Sequence, residues 1–172
     1  MDTLAYDSNI PYITIGNKMI EKEFKEHKCL TDFIKRINNK ELTHFFGSLK
    51  YIELDPGKRI IKESHHRRSI YFLTYGTVSL MSGDGSDKKD VVAPYIFGED
   101  SFLYDHEWRK SIYSLNRCRF YELSYDSFSL MKEGCVSVGC EVLKSIINLK
   151  ASQIQFASAS TNKNAKLLEL AV

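Results

Sequence analysis

No apolar run in the chain approaches the ~18 residues that a membrane-spanning helix needs. The opening MDTLAYDSNI carries two acids and no apolar stretch of a secretory leader. An excess of one charge is also lacking: 24 Lys and Arg against 22 Asp and Glu leave a net +2, too little to hold nucleic acid by charge alone. The four cysteines, Cys29, Cys118, Cys135 and Cys140, contain no C-x-x-C pair. Cys135 and Cys140 stand five apart without a matching second pair, so no metal is expected and the four are read as buried free thiols. His65 and His66 are adjacent, and neighbours on a strand point to opposite faces, which argues against a shared metal there. No nucleophile sits in a recognisable elbow, so no enzyme activity is expected. What remains is a cytoplasmic, non-enzymatic chain of ordinary composition. Its 172 residues, 43% apolar and 27% charged, suffice for one core.

The patterning changes twice along the chain. Residues 1–16 show no periodicity and read as an N-terminal arm. From Asn17 the apolar positions Met19, Ile20, Phe24, Leu30, Phe33, Ile34 and Ile37 recur at helical steps. Asn39 is the expected cap of a further short helix that carries Leu42, Phe45 and Phe46. From Leu49 to Tyr125 the grammar is that of short strands: 51–54, 59–61, 70–73, 77–81, 91–92, 95–97, 112–115 and 119–123. Turn signals separate them, among them Asp55-Pro56-Gly57 and the polar run Ser82–Asp87. His65-His66-Arg67-Arg68 reads as a solvated hairpin tip. Eight strands at this spacing predict a jelly-roll β barrel.

Helical periodicity returns after Ser124, which with Asp126 is a candidate cap for a short helix through Phe128 and Leu130. A long helix is expected over Val136–Ala157. One apolar stripe on it carries Cys140, Leu143, Ile147 and Ile154, and a second carries Val142, Ile146, Leu149 and Phe156. So wide an apolar surface implies that one stripe covers the barrel and the other a partner helix, giving a homodimer. A final helix, Ala165–Ala171, follows and meets no stop signal. The fold class is thus α+β and mainly β: N-terminal helices, an eight-stranded jelly roll and a long C-terminal dimerisation helix. The divisions are arm 1–16, helices plus barrel 17–132, long helix 133–160 and the start of another helix 161–172.

Pro56-Gly57, the strand Tyr71-Phe72-Leu73 before Gly76-Thr77-Val78, and Phe97-Gly98-Glu99 with Arg109 ten residues beyond Glu99 stand in a fixed order. In this order they resemble the cyclic-nucleotide-binding sensor of the catabolite activator/fumarate-nitrate regulator (Crp/Fnr) family. The run Asn164–Ala171 resembles the helix that leads into that family's helix-turn-helix, which would lie beyond Val172. The resemblance implies a ligand site of Gly98, Glu99, Arg109, Lys110 and Ser111, with cAMP or cGMP as candidate ligands. Arg109 would anchor the phosphate with paired charge-assisted hydrogen bonds, Glu99 would accept from the ribose 2′-hydroxyl, and Gly98 would let backbone approach the sugar. The base would lie against the long helix near Asn148 and Ser152.

The family's pattern places Ser or Thr directly after the Arg and a small residue next; here they are Lys110 and Ser111. Ser64 stands where the family has Gly before the Ile70 strand. A plain salt bridge between Glu99 and Arg109 is the structural alternative to ligand binding. The functional expectation is the effector-sensing, dimerising part of a transcription regulator whose DNA-reading module is not in this chain. Its alternatives are a stand-alone cyclic-nucleotide module that gates an enzyme or channel, and a barrel that has lost the nucleotide and serves as a dimer scaffold.

Overall fold

A computed structural model describes residues 12, 13, 16–35, 37–148 and 151. Helices α1 (Asn17–Glu26), α2 (Lys28–Ile34) and α3 (Asn39–Gly47) open the fold, after a two-residue strand β1 (Tyr12–Ile13). Strands β2 (Lys50–Leu54), β3 (Arg59–Ile61), β4 (Ser69–Tyr75), β5 (Thr77–Met81), β6 (Lys88–Val92) and β7 (Tyr95–Phe97) follow. A short helix α4 (Glu99–Tyr104) then precedes β8 (Ser111–Ser114), β9 (Cys118–Ser124) and α5 (Tyr125–Gly134). Residues 136–148 form a further helix, α6.

The strands make two antiparallel sheets, ordered β1-β2-β9-β4-β7 and β3-β8-β5-β6. Alternation on β4 explains both cores at once. Tyr71 and Leu73 join Val78, Ile112, Phe120 and Trp108 between the sheets. Ile70 and Phe72 face the other way and join Phe24, Phe33, Phe45 and Tyr121 beneath the helices. That sheet is therefore buried on both faces, and β4, one of its interior strands, is apolar at successive positions rather than alternating. Phe24 packs edge-on against Phe46 and Tyr121, each with ring centroids 5.6 Å away, which seals the helices to the sheet.

Several expectations are corrected. The cap of α3 is Asn38, whose side chain accepts from the Glu41 amide at 3.0 Å, because Asn39 already lies inside the helix. Ser124, not Asp126, caps α5, accepting from the Ser127 amide. The arm is not featureless: Tyr12 and Ile13 pair with Ile52 and Tyr51 on β2. Helix α4 was not read from the sequence, since six residues are too few for a periodic signal. Of the thiols, Cys118 is buried but Cys140 is exposed. On α6, Val138, Val142 and Ile146 are fully buried among the helices with Phe33 and Phe128, and the Ser145 hydroxyl donates to the Phe33 carbonyl at 2.7 Å. The buried stripe thus joins the core that the helices share with the sheet residues Ile70, Phe72 and Tyr121. Cys140 and Ile147 are exposed, and Leu143 is half-buried. The long-helix expectation beyond 148, including Ser152, Ile154 and Phe156, lies outside the described residues, apart from residue 151, as does the final helix 165–171.

Candidate ligand site

Strand β7 runs out at Phe97 and the chain turns at Gly98, whose φ of +95° is one that only glycine adopts freely. The turn is also crowded. A Cβ at Gly98 would stand 2.4 Å from the Ser69 carbonyl oxygen and 2.7 Å from the Trp108 ring. The chain then makes α4, turns again at Asp105, which is left-handed too, and returns through Trp108 to β8. Between the two limbs lies a cavity of about 200 Å³. Gly98, Glu99, Arg109 and Lys110 all line it, with Tyr95 and Ile112 on its apolar side. Four of the five expected ligand residues are therefore brought together. Ser111 is not: it is buried, and its hydroxyl accepts from the Glu63 amide at 2.9 Å.

Glu99 is buried, whereas Arg109 is exposed and forms no ion pair with a described carboxylate. The salt-bridge alternative is therefore not what the structure shows. Lys110 is engaged: its Nζ is 2.5 Å from Asp87 on the β5–β6 turn. The cavity is electrically mixed, with Asp100 and Glu107 also on its wall. None of the described residues of α6 lines it, so the expectation that the base would rest near Asn148 has no support in the described part of that helix. Among the described residues, no cluster of three or more His, Cys, Asp or Glu suits a metal ion, and no helix is long and apolar enough to cross a membrane.

The segment before β4 departs most from its sequence reading. Arg67 and Arg68 are not a solvated tip. Arg67 donates through Nε and Nη2 to Glu122 at 2.6–3.0 Å, and Arg68 stacks on Tyr125 at 3.4 Å from the ring centre. Ser64 has a φ of +59°, so a residue with a Cβ carries a left-handed turn there. The missed signal was Glu122 itself. It shares the inward face of β9 with Phe120, two residues before it, and an inward carboxylate demands a cation.

Residues 51–134 match the family described as Cyclic nucleotide-binding domain. This segment is similar to a cyclic nucleotide-binding domain. Potassium/sodium hyperpolarization-activated cyclic nucleotide-gated channel 2 of Mus musculus is 30% identical over 92 residues, which is 54% of this chain and 10% of the channel. The chain thus spans about a tenth of that relative's length. A cyclic nucleotide-binding domain from Methylobacillus flagellatus KT has the same fold at a TM-score of 0.76 and 14% identity, covering 92% of this chain and 90% of that one. The Thermus thermophilus catabolite activator protein matches at a TM-score of 0.61 and 15% identity, over 76% of this chain and 62% of its own. At these identities the chain shares fold alone with both structures.

Proposed function

We propose that the cavity between α4 and β8 binds a cyclic nucleotide, cAMP or cGMP, and that the chain is the sensing and dimerising part of a Crp/Fnr-like transcription regulator. The observation that carries the ligand reading is the convergence of Gly98, Glu99, Arg109 and Lys110 on one cavity. Arg109 has an uncommitted guanidinium at the rim, suited to a phosphate monoanion. Glu99, recessed beside Gly98, accepts from a sugar hydroxyl, and the Tyr95 and Ile112 side receives the base. The homodimer would form through α6 and its continuation, on the stripe of Cys140, Leu143, Ile147 and Ile154. DNA would be read by a helix-turn-helix outside these residues, in the cytoplasm, and no catalytic role is assigned.

Calorimetric titration of cAMP and cGMP, with Arg109→Ala as control, tests the ligand reading. Micromolar binding that is lost in the variant supports it, and no heat with either nucleotide overturns it. A second reading, a regulatory module that gates a channel or enzyme, draws on the match to a cyclic nucleotide-gated channel. Loss of a promoter-binding phenotype on deletion of the gene's product would favour the regulator over the gating module.

A further inference from the structure

One residue outside the cavity holds both of its walls. The main-chain carbonyl of Arg67 accepts from the Ser101 hydroxyl at 2.5 Å and from the Trp108 indole Nε1 at 2.9 Å. Ser101 lies on α4 two residues after Glu99, and Trp108 directly precedes Arg109. The same segment meets Trp108 twice more, through Ser64 N to Trp108 O at 2.7 Å and Trp108 N to His65 O at 3.1 Å. The position of that carbonyl therefore sets the spacing of the Glu99 limb from the Arg109 limb.

The carbonyl is fixed in turn by its own side chain. Arg67 grips both carboxylate oxygens of Glu122, at 2.6 and 2.7 Å from Nη2. Glu122 is only 1% exposed and also accepts from Ser69 at 2.6 Å and Tyr71 at 3.3 Å. A fork of this kind constrains angle as well as distance. Because the carboxylate sits on β9 in the middle of its sheet, Arg67 is referenced to a strand paired on both edges.

We propose that Arg67 and Glu122 are a positioning pair for the ligand site, anchoring to the barrel the one carbonyl on which Ser101 and Trp108 both hang. The pair touches no ligand; it acts by keeping Glu99 and Arg109 at their working separation. Only the affinity readout below rests on the cyclic-nucleotide reading of the cavity.

Trp108 is the sole tryptophan of the chain, so its emission reports the seat directly in the ligand-free protein. Glu122→Gln keeps the shape of the acceptor and loses its charge. Arg67→Lys keeps a cation and loses the fork, and carries the test if Glu122→Gln does not fold. Phe45→Leu, in the helical core, is the control for lost stability alone. In the two pair variants Trp108 emission should shift to the red, with about twofold greater acrylamide quenching and about tenfold weaker cAMP binding, as for loss of an outer-shell partner. The control should move neither. A folded pair variant with wild-type Trp108 emission and quenching overturns the proposal, and so does a moved Trp108 with unchanged affinity. If the wild-type protein binds no cyclic nucleotide, the ligand reading fails while the Trp108 readout still decides the positioning role.

Discussion

The Tyr121 hydroxyl on β9 donates to the Glu23 carboxylate on α1 at 2.8 Å. Thr74 donates to the same oxygen at 3.1 Å, and Arg119 pairs with the other. Glu23 is thus a buried acid on α1, beside Phe24 and Ile20, which join the core. Burial, and next the hydrogen bond to Glu23, push the Tyr121 phenol well above its ordinary value, which keeps it a donor throughout the working pH range.

Breaking this clasp from either side should loosen α1 unequally. Tyr121→Phe removes one donor and leaves Thr74 and Arg119, so about 1.5 kcal/mol should be lost. Glu23→Ala strands a partly buried guanidinium and two hydroxyls, so about 3 kcal/mol should be lost. Urea unfolding of both single variants and the double variant gives the coupling. Equal and additive losses would mean that the hydroxyl and the carboxylate do not act together.

Lys110 sits in the cavity wall yet is held by Asp87, a residue more than half exposed on the neighbouring turn. If the proposed nucleotide binds, its phosphate competes with Asp87 for that ammonium. Asp87→Ala should therefore tighten cAMP binding about threefold at low ionic strength and leave it nearly unchanged at 0.5 M salt, where exposed pairs are screened. Lys110→Ala should weaken binding and abolish the effect of the Asp87 substitution. Calorimetry at two salt concentrations checks both, and an Asp87→Ala variant that binds no better at either would separate Lys110 from the phosphate.

The barrel was legible because its strands are short, apolar and bounded by Gly, Pro and Asp turns; the eight expected strands correspond to β2–β9 within a few residues. That Gly98, Glu99 and Arg109 come together on one cavity was legible because a tight turn and a fixed spacing leave marks in a linear sequence. Arg67 was not, because its partner Glu122 is 55 residues away and nothing local distinguishes a clamped arginine from a solvated one. The orientation of α6 was also hidden. Two apolar stripes on one helix are equivalent in sequence until Val142 and Ile146 are seen buried under α2 and Ile147 is seen exposed. Lys110 and Asp87 illustrate the same limit, since they meet only because β8 pairs with β5, whose turn into β6 carries Asp87.

Alkaline pH should destabilise the protein in two stages. Burial pushes the Cys118 thiol up, with its sulfur 3.2 Å from the Thr77 carbonyl and 3.3 Å from that of Asn116. Because the folded value lies above the unfolded one, the native state keeps a proton that the unfolded chain loses, and stability falls as pH rises. The loss should begin near the free-thiol pKa of about 8.5 with a slope of at most about 1.4 kcal/mol per pH unit. Tyr51 and Tyr121, both raised chiefly by burial, should steepen it above about pH 10. Cys118→Ala should remove the first stage and leave the second. Urea midpoints from pH 7 to 10.5 resolve the two, and an unaltered profile in the variant would show that Cys118 does not set the first.

The two sides of α6 make opposite demands. Val138, Val142 and Ile146 are spent within the fold, whereas Ile147 is 58% and Val136 66% exposed, and Cys140 is exposed beside them. Leu143, half-buried, packs partly on the core, but the exposed side of Val136, Cys140 and Ile147 opposite the buried stripe is the arrangement a helix-to-helix seam uses. Ile147→Glu places a charge in that seam without touching the core, so its folding stability should change by no more than about 0.5 kcal/mol. Sedimentation at tens of micromolar should give a dimer for the parent protein and a monomer for the variant. A monomeric parent would remove the seam. A variant that stays dimeric would move the interface away from the Cys140, Leu143 and Ile147 stripe to some other face of the chain.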